Sequence, residues 1–310
     1  MPVLSTAATR TYTARIADTR DEIHAAQRLR TAVFRDELGA DLTHHADTPN
    51  VPKPQHNVPT TQHATPNPQH GPLEAQHGPP KARHGTPKAQ HGTPASPPDT
   101  SPLDTSPLDG APLDTDRFDD VCDHLVVTHE PSGAVVGTYR ILPPHRSDVA
   151  YSAGEFDLAN LAPLAGDLVE AGRSCVDPAH RNGSVITLMW SALARYTLLS
   201  GHRYLGGCAS VPLADGGHAA ATAWHLASTQ HASPAEYRVR PHRPWLPIGR
   251  VEHPRYTDLP PLLRGYLRLG AWVCGPPAHD PAFDVADFYV LLPLDRVDER
   301  YLRYLLGDDR

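Results

Sequence analysis

The run Leu168–Val176 is apolar except for Glu170-Ala-Gly-Arg173, two opposite charges inside what reads as a buried strand. Strand side chains alternate, so residues three apart face opposite ways unless a bulge adds a residue. Gly172 suits such a bulge, which would bring Glu170 and Arg173 to one side. Arg173 would then keep the Glu170 carboxylate ionised despite its burial. A structural ion pair is the plain reading; a catalytic pair is favoured, because buried strands seldom carry two charges without a use. Directly after comes Val176-Asp-Pro-Ala-His-Arg-Asn-Gly183-Ser184, where a strand gives way to a helix. Helix N-termini offer free N–H groups and partial positive charge to phosphate. Gly183 allows close approach and Arg181 adds a fixed charge. Arg181, Asn182, Gly183 and Ser184 are therefore the expected cradle for a pyrophosphate or phosphopantetheine. Asp116 and Asp119, then Asp123 and His124, then Arg140, add further charges, and Arg30 and Phe34 lie four apart on one helix face. Each alone reads as a solvated or capping group. Together they supply acids and arginines that can meet at one end of a sheet.

The elements that would position these groups are legible. Thr11–Ala17 alternates as a strand. Thr19 or Asp21 caps a helix running to Leu38, stopped by Gly39. His124–Thr128 and Val135–Leu142 form a hairpin around Pro-Ser-Gly. After the strand Leu168–Val176, Ser184 caps a helix to Leu199, with Ile186, Met189, Trp190, Leu193 and Thr197 on one stripe. Tyr204–Ser210 and Phe288–Leu291 read as strands, and Ala219–Gln230, Pro260–Leu269 and Asp298–Leu306 as helices. The order predicts an α/β domain: a mixed sheet with helices on its faces.

Composition interrupts this domain. From His45 to Thr115 there is no Phe, Trp or Tyr, and 16 of the 34 prolines fall there. His56, His63, His70, His77, His84 and His91 recur every seven residues, and Ser-Pro-Leu-Asp recurs every five from Ser101, with Ala111 opening a variant copy. Such a stretch buries too little to offset the entropy of ordering it. The expected organisation is the first strand and helix in 1–44, a disordered Pro/His-rich insert in 45–115, and the rest of the domain in 116–310. A weak metal sink in the insert is the alternative reading. All three lysines, Lys53, Lys81 and Lys88, lie in the insert, so a Walker-type lysine and Schiff-base chemistry are excluded from the domain. A net charge of −7 argues against a nucleic-acid partner. No apolar run approaches a membrane span, no secretory signal is evident, and four scattered cysteines fit a reducing cytoplasm.

The ordered set Leu29-Arg30, Val33-Phe34, Phe118-Asp119, Cys122-Asp-His124-Leu125, Gly137-Thr-Tyr-Arg140, Glu155-Phe156-Asp157-Leu158, Glu170-x-Gly-Arg173-Ser-Cys, Leu188-x-Trp190, Gly207-Cys-Ala-Ser210 and Asp280-Pro-Ala-Phe283 resembles the ornithine-lipid N-acyltransferases. Pro261-Leu-Leu-Arg264 through Gly270-Ala is similar to them as well. These are the hemolysin-like branch of the GNAT superfamily, and the resemblance spans nearly all of the chain outside the insert. More distantly, the pattern is similar to the acyl-homoserine-lactone synthases, whose charged positions would fall on Arg30, Phe34, Asp116, Asp119, Arg140, Glu170 and Arg173. The resemblance implies a GNAT-like fold and acyl transfer from a phosphopantetheine thioester, with no permanently bound cofactor and no metal. Ser184 stands where the superfamily's phosphate loop has a further glycine, which favours acyl carrier protein over CoA as donor.

The expected function is transfer of a fatty acyl or 3-hydroxyacyl group to the α-amine of ornithine or a similar amino acid, by direct attack. Glu170 is the first candidate to take the amine proton and Asp119 the second, with Arg173 beside them. Backbone N–H groups at the bulge would hold the oxyanion. Arg30, Arg140 and Arg173 either bind the acceptor carboxylate or order the acids, and Phe34 and Asp116 complete the pocket. The lipid product implies peripheral membrane contact. Rival readings are a small-molecule N-acetyltransferase, a transferase using Cys175 or Cys208, and a haemolysin. A strand cysteine is ordinarily a small core residue, and nothing lysine-rich and amphipathic supports a pore.

Overall fold

The computed structural model describes residues 7–8, 11–40, 113–247 and 251–306. Most of the expected insert, residues 45–112, lies outside them. Its expected end does not hold: 113–115 are described, and Asp114 is buried at 2% exposure.

The chain opens with strands β1 (Ala7–Ala8) and β2 (Tyr12–Ile16). Helix α1 follows, Arg20–Thr31, fixed by a capping box in which Thr19 Oγ accepts from the Glu22 N–H and Glu22 accepts from the Thr19 N–H. The expected continuous helix to Leu38 is instead α1 followed by a π-helical segment, Ala32–Glu37. The wider turn inserts one residue, and such segments are common where a helix shapes a site. Gly39, at φ +71°, ends it.

The hairpin strands β3 (Asp123–His129) and β4 (Ala134–Leu142) come next, then the short β5 (Phe156–Asp157) and β6 (Leu168–Val176). Helix α2 spans Gly183–Leu199. Its N-cap is Asn182, not the expected Ser184, because the Asn182 side-chain oxygen Oδ1 accepts from the Ser184 and Val185 N–H groups. Beyond it lie β7 (Tyr204–Pro212), α3 (His218–Gln230), β8 (Arg240–Pro241), α4 (Pro261–Arg268), β9 (Trp272–Val273), β10 (Ala278–Asp280), β11 (Val285–Pro293) and α5 (Glu299–Leu306). The central sheet runs β1-β2-β3-β4-β6-β7-β11-β10, with β9 also on β11, while β5 and β8 pair separately. It is antiparallel except for β6 and β7.

That one parallel pair opens the sheet. β6 and β7 are nine residues each but pair only over Leu168–Glu170 and Tyr204–Gly206, and then part. Gly207, at φ +150°, lies so close to the Ala171 carbonyl that a Cβ there would come within 2.2 Å of its oxygen. On one side of the parting, Val169, Tyr139 and Ile141 pack with Leu188, Met189 and Leu193 of α2. On the other, Val211 and Phe288 pack with Leu226 of α3 and Leu263 of α4.

Candidate active site

A closed ring of six charges sits on the α1 side of the sheet. Arg30 Nε donates to Asp114 Oδ2 at 2.7 Å, and its Nη2 to Asp119 Oδ1 at 2.7 Å. Arg140 Nη1 donates to Asp119 Oδ2 at 3.1 Å and Asp116 Oδ1 at 2.7 Å. Arg173 closes the circuit, with Nη1 3.2 Å from Asp114 Oδ1 and Nη2 3.6 Å from Asp116 Oδ2. Each arginine thus meets two aspartates and each aspartate two arginines. All six side chains are at most 8% exposed. Ionised groups survive such burial only when paired and hydrogen-bonded. Burial pushes the Asp119 carboxyl up, but Arg30 and Arg140 outweigh it and bring it down to about 2. So acidic a group is a poor proton acceptor at neutral pH, which weighs against the expectation of Asp119 as a base. Of the two roles open to the arginines, the geometry favours ordering the acids.

The expected Glu170–Arg173 pair does not form. A bulge is present: Thr138 faces Cys175 and Arg140 faces Gly172, so Tyr139 alone spans Arg173 and Ser174. Its left-handed residue is Arg173, at φ +50°, rather than Gly172. Arg173 turns to the ring. Glu170 is held by three donors, the Tyr151 N–H at 2.6 Å, the Ser152 N–H at 2.8 Å and the Ser152 hydroxyl. These bonds favour the carboxylate, yet burial dominates and raises its pKa, opposite in sign to a group held ionised by an arginine.

Two cavities adjoin here and share Phe34, Glu37, Ser174, Ser210 and Pro212. The larger, about 1010 Å³, enters where β6 and β7 part and runs past Ile186, Trp190 and Leu262. The second, about 480 Å³, is lined by Tyr151, Glu170 and Arg173, and also by Glu155, Asp280 and Asp287, whose joint role the sequence did not disclose. Phe34 reaches both cavities from the π-helical turn and packs edge-on against Phe283 at 5.7 Å. Arg181, Asn182 and Gly183 line the larger cavity. Arg181 is nevertheless engaged by both Glu37 oxygens at 2.5 Å, and Asn182 occupies the Ser184 N–H. The cradle expected from sequence therefore has its strongest donors occupied. Burial raises the Cys175 and Cys208 thiols well above their usual range, so neither is poised as a thiolate nucleophile.

Residues 104–191 match the model of an acetyltransferase (GNAT) domain. The L-ornithine N(alpha)-acyltransferase of Brucella abortus (strain 2308) is 34% identical over 208 residues, 61% of this chain and 73% of that protein. The chain belongs to the L-ornithine N(alpha)-acyltransferase family. A Rhizobium meliloti (strain 1021) relative of the same description is 33% identical over 222 residues, covering 62% of this chain and 71% of its own. The family resemblance and the GNAT-like fold expected from sequence are thereby established, and the chain is an acyltransferase. Among solved structures, an N-acyl amino acid synthase from uncultured soil microbes overlaps 92% of this chain and 90% of its own at 12% identity, with a TM-score of 0.41. No helix among the described residues is long and apolar enough to cross a membrane.

Proposed function

We propose that this acyltransferase moves a fatty acyl group, 3-hydroxyacyl included, from an acyl-carrier-protein thioester to the α-amine of ornithine or a closely similar amino acid. The observation that carries the reading is the junction of two unlike cavities where β6 and β7 part. One is large and mainly apolar, suited to a long acyl chain rather than an acetyl group; the other is small and charged. The family's described activity, acylation at Nα of ornithine, fits that division.

In this reading the thioester carbonyl lies at the junction. The free α-amine attacks it, the N–C bond forms as C–S breaks, and the thiolate leaves with a proton. Holding both reactants together supplies much of the rate. The α-ammonium must first lose a proton, and Glu170 is the acceptor we assign, because a carboxyl with a raised pKa suits that transfer near neutral pH. Backbone N–H groups of the Arg173–Ser174 bulge would face the oxyanion. Phosphopantetheine phosphate at Arg181 would have to compete with Glu37.

The test is incubation of the purified chain with acyl carrier protein and CoA thioesters of several chain lengths, each with ornithine, read by mass spectrometry. Formation of Nα-acylornithine from a long-chain carrier-protein thioester is expected. Acetyl transfer alone, or no transfer to any amino acid, would sink the reading.

A further inference from the structure

The smaller cavity holds a charge cluster that the ring does not use. Glu155 precedes β5, Asp280 ends β10 and Asp287 lies on β11. One ligand oxygen from each lies within 4.8 Å of the other two. Whereas every ring aspartate has two arginines, no Lys or Arg forms an ion pair with this trio among the described residues. Asp287 Oδ1 accepts from the Ser210 hydroxyl at 2.6 Å, and Asp280 Oδ1 from the Ala282 N–H at 2.8 Å. Glu155 Oε2 is buried with no hydrogen-bond partner among the described residues. A second, independent unsatisfied group belongs to the same cavity. The Arg173 side chain is 4% exposed, and its Nε–H is buried without a hydrogen-bond partner among the described residues. Its guanidinium stacks 5.3 Å from the Phe283 ring, three residues beyond Asp280. A buried donor and a buried acceptor left open in one cavity are each costly, so the pair describes a ligand that carries both an anion and a cation.

We propose that Glu155, Asp280 and Asp287 receive the distal ammonium of a diamino-acid acceptor while Arg173 Nε faces its carboxylate. The proposal rests on acyl transfer to an amino acid, the function already proposed, and names the residues that read the acceptor's side chain. An alkylammonium has three N–H donors, matching one oxygen from each of three carboxylates. A divalent cation asks for six or more oxygens, and two of these carboxylates are partly engaged already. The α-amine is the wrong occupant, because three carboxylates would hold it protonated and so prevent attack. The distal amine must stay protonated to remain unacylated, so the trio also directs reaction to Nα. Burial pushes the Glu155 and Asp287 carboxyls upward, Asp280 adds to both, and the two carboxyls also bond to each other.

The experiment compares ornithine with norvaline, the same amino acid without the ammonium, using full-length protein and one saturating long-chain thioester. Wild type should favour ornithine by about 100-fold in kcat/KM. Glu155→Gln, Asp280→Asn and Asp287→Asn should each raise the ornithine KM by about 10-fold or more, leave kcat within about 3-fold, and leave norvaline nearly unchanged. Thermal melts identify any variant that does not fold, and the wild-type comparison needs no variant. Equal use of norvaline by wild type overturns the proposal but leaves amino-acid acylation standing. Variants that lose kcat equally on both acceptors overturn it in favour of a base at the α-amine, and loss of ornithine use in a chelator overturns it in favour of a metal. A wild type that acylates neither acceptor, nor any other amino acid, overturns both proposals.

Discussion

Replacing Asp114 by Asn removes one negative charge from the ring and leaves three arginines facing two aspartates. Arg30, fully buried, loses its Nε partner carboxylate, and Arg173 loses its nearer counter-charge. Breaking one member of a buried ion pair costs about 3–5 kcal/mol. Asp114 also accepts through its backbone oxygen from Arg30 Nη2 at 2.5 Å and donates through its N–H to Thr31 Oγ at 2.7 Å. Those bonds survive the change, so the lower end, about 3 kcal/mol, is expected. For a domain of this size that corresponds to a fall of about 6–12 °C in Tm. Asp18→Asn is the control, since the Arg15–Asp18 pair at 3.7 Å is largely exposed and should shift Tm by at most about 2 °C. Both variants would be melted in full-length protein at pH 7 and moderate salt. A drop no larger than the control's would refute the claim that Asp114 is part of a buried, mutually dependent network. So would additive losses in Arg30→Gln/Asp114→Asn, because members of one network must couple.

Glu170→Gln should lower kcat by about 10²–10⁴-fold per folded molecule and should also lower Tm, because its amide NH₂ must face one of the backbone N–H groups that the two carboxylate oxygens accept from; normal turnover per folded molecule makes Glu170 structural instead. The pH dependence of stability should carry two opposed terms. Asp119, lowered to about 2, stabilises above about pH 4 and loses that contribution as pH falls through 2. Asp287, raised to about 6 by burial and by Asp280 against the opposing Ser210 hydroxyl and Arg173, stabilises below about pH 4 and loses that contribution as pH rises through 6. Asp287→Asn should therefore flatten any decline in Tm between pH 4 and 7, and an undiminished decline counts against the assignment. Glu37→Gln should free Arg181, lower the donor KM and make it more salt-sensitive; unchanged kinetics at low and high salt would remove Arg181 from the donor site. Gly207→Ala places a Cβ against the Ala171 carbonyl and should cost about 3 kcal/mol or more, read as a lower Tm or loss of folded protein.

Periodicity and punctuation made the main strands and helices legible, because half-buried strands and amphipathic helices leave a repeating signal. They could not show that β6 and β7 part after three pairs, since parting is a matter of tertiary fit at Gly207. The bulge in β6 was legible from two charges three apart, yet the partners were not. Arg173 turns toward acids that come from beyond the insert, and Glu170 toward Tyr151 and Ser152, which show no charge pattern. Glu155 stands over a hundred residues before Asp280 and Asp287 and in an unrelated motif. Only the antiparallel pairing of β10 and β11, and the approach of the turn before β5, bring them together. The N-cap was misplaced by two positions because Asn182 and Ser184 are both good caps, and sequence alone does not say which adopts extended backbone.

Asp114 shows why a folded residue can hide in a repeat. It ends the third copy of a Pro-Leu-Asp motif whose earlier copies end at Asp104 and Asp109, so composition assigns all three to one class. The last copy differs in its downstream neighbours: Asp116, Phe118 and Asp119 come two, four and five residues later, and each has a place around Arg140. A slip by one copy would seat Asp109 against Arg30 but put Ala111 where Asp116 belongs, leaving Arg140 and Arg173 short of a carboxylate. The ring therefore sets the register with which the chain returns from the insert. It also explains why an insertion is tolerated at this point. Thr31 and Asp114 are 83 residues apart yet hydrogen-bonded, and the entropy of closing a loop grows only by about 0.6 kcal/mol for each doubling of its length. Three doublings, from about ten residues to about eighty, add roughly 2 kcal/mol, less than the cost of unpairing one buried charge of the ring. The length between the two halves of the site is thus nearly free to vary, provided the chain returns with Asp114 against Arg30.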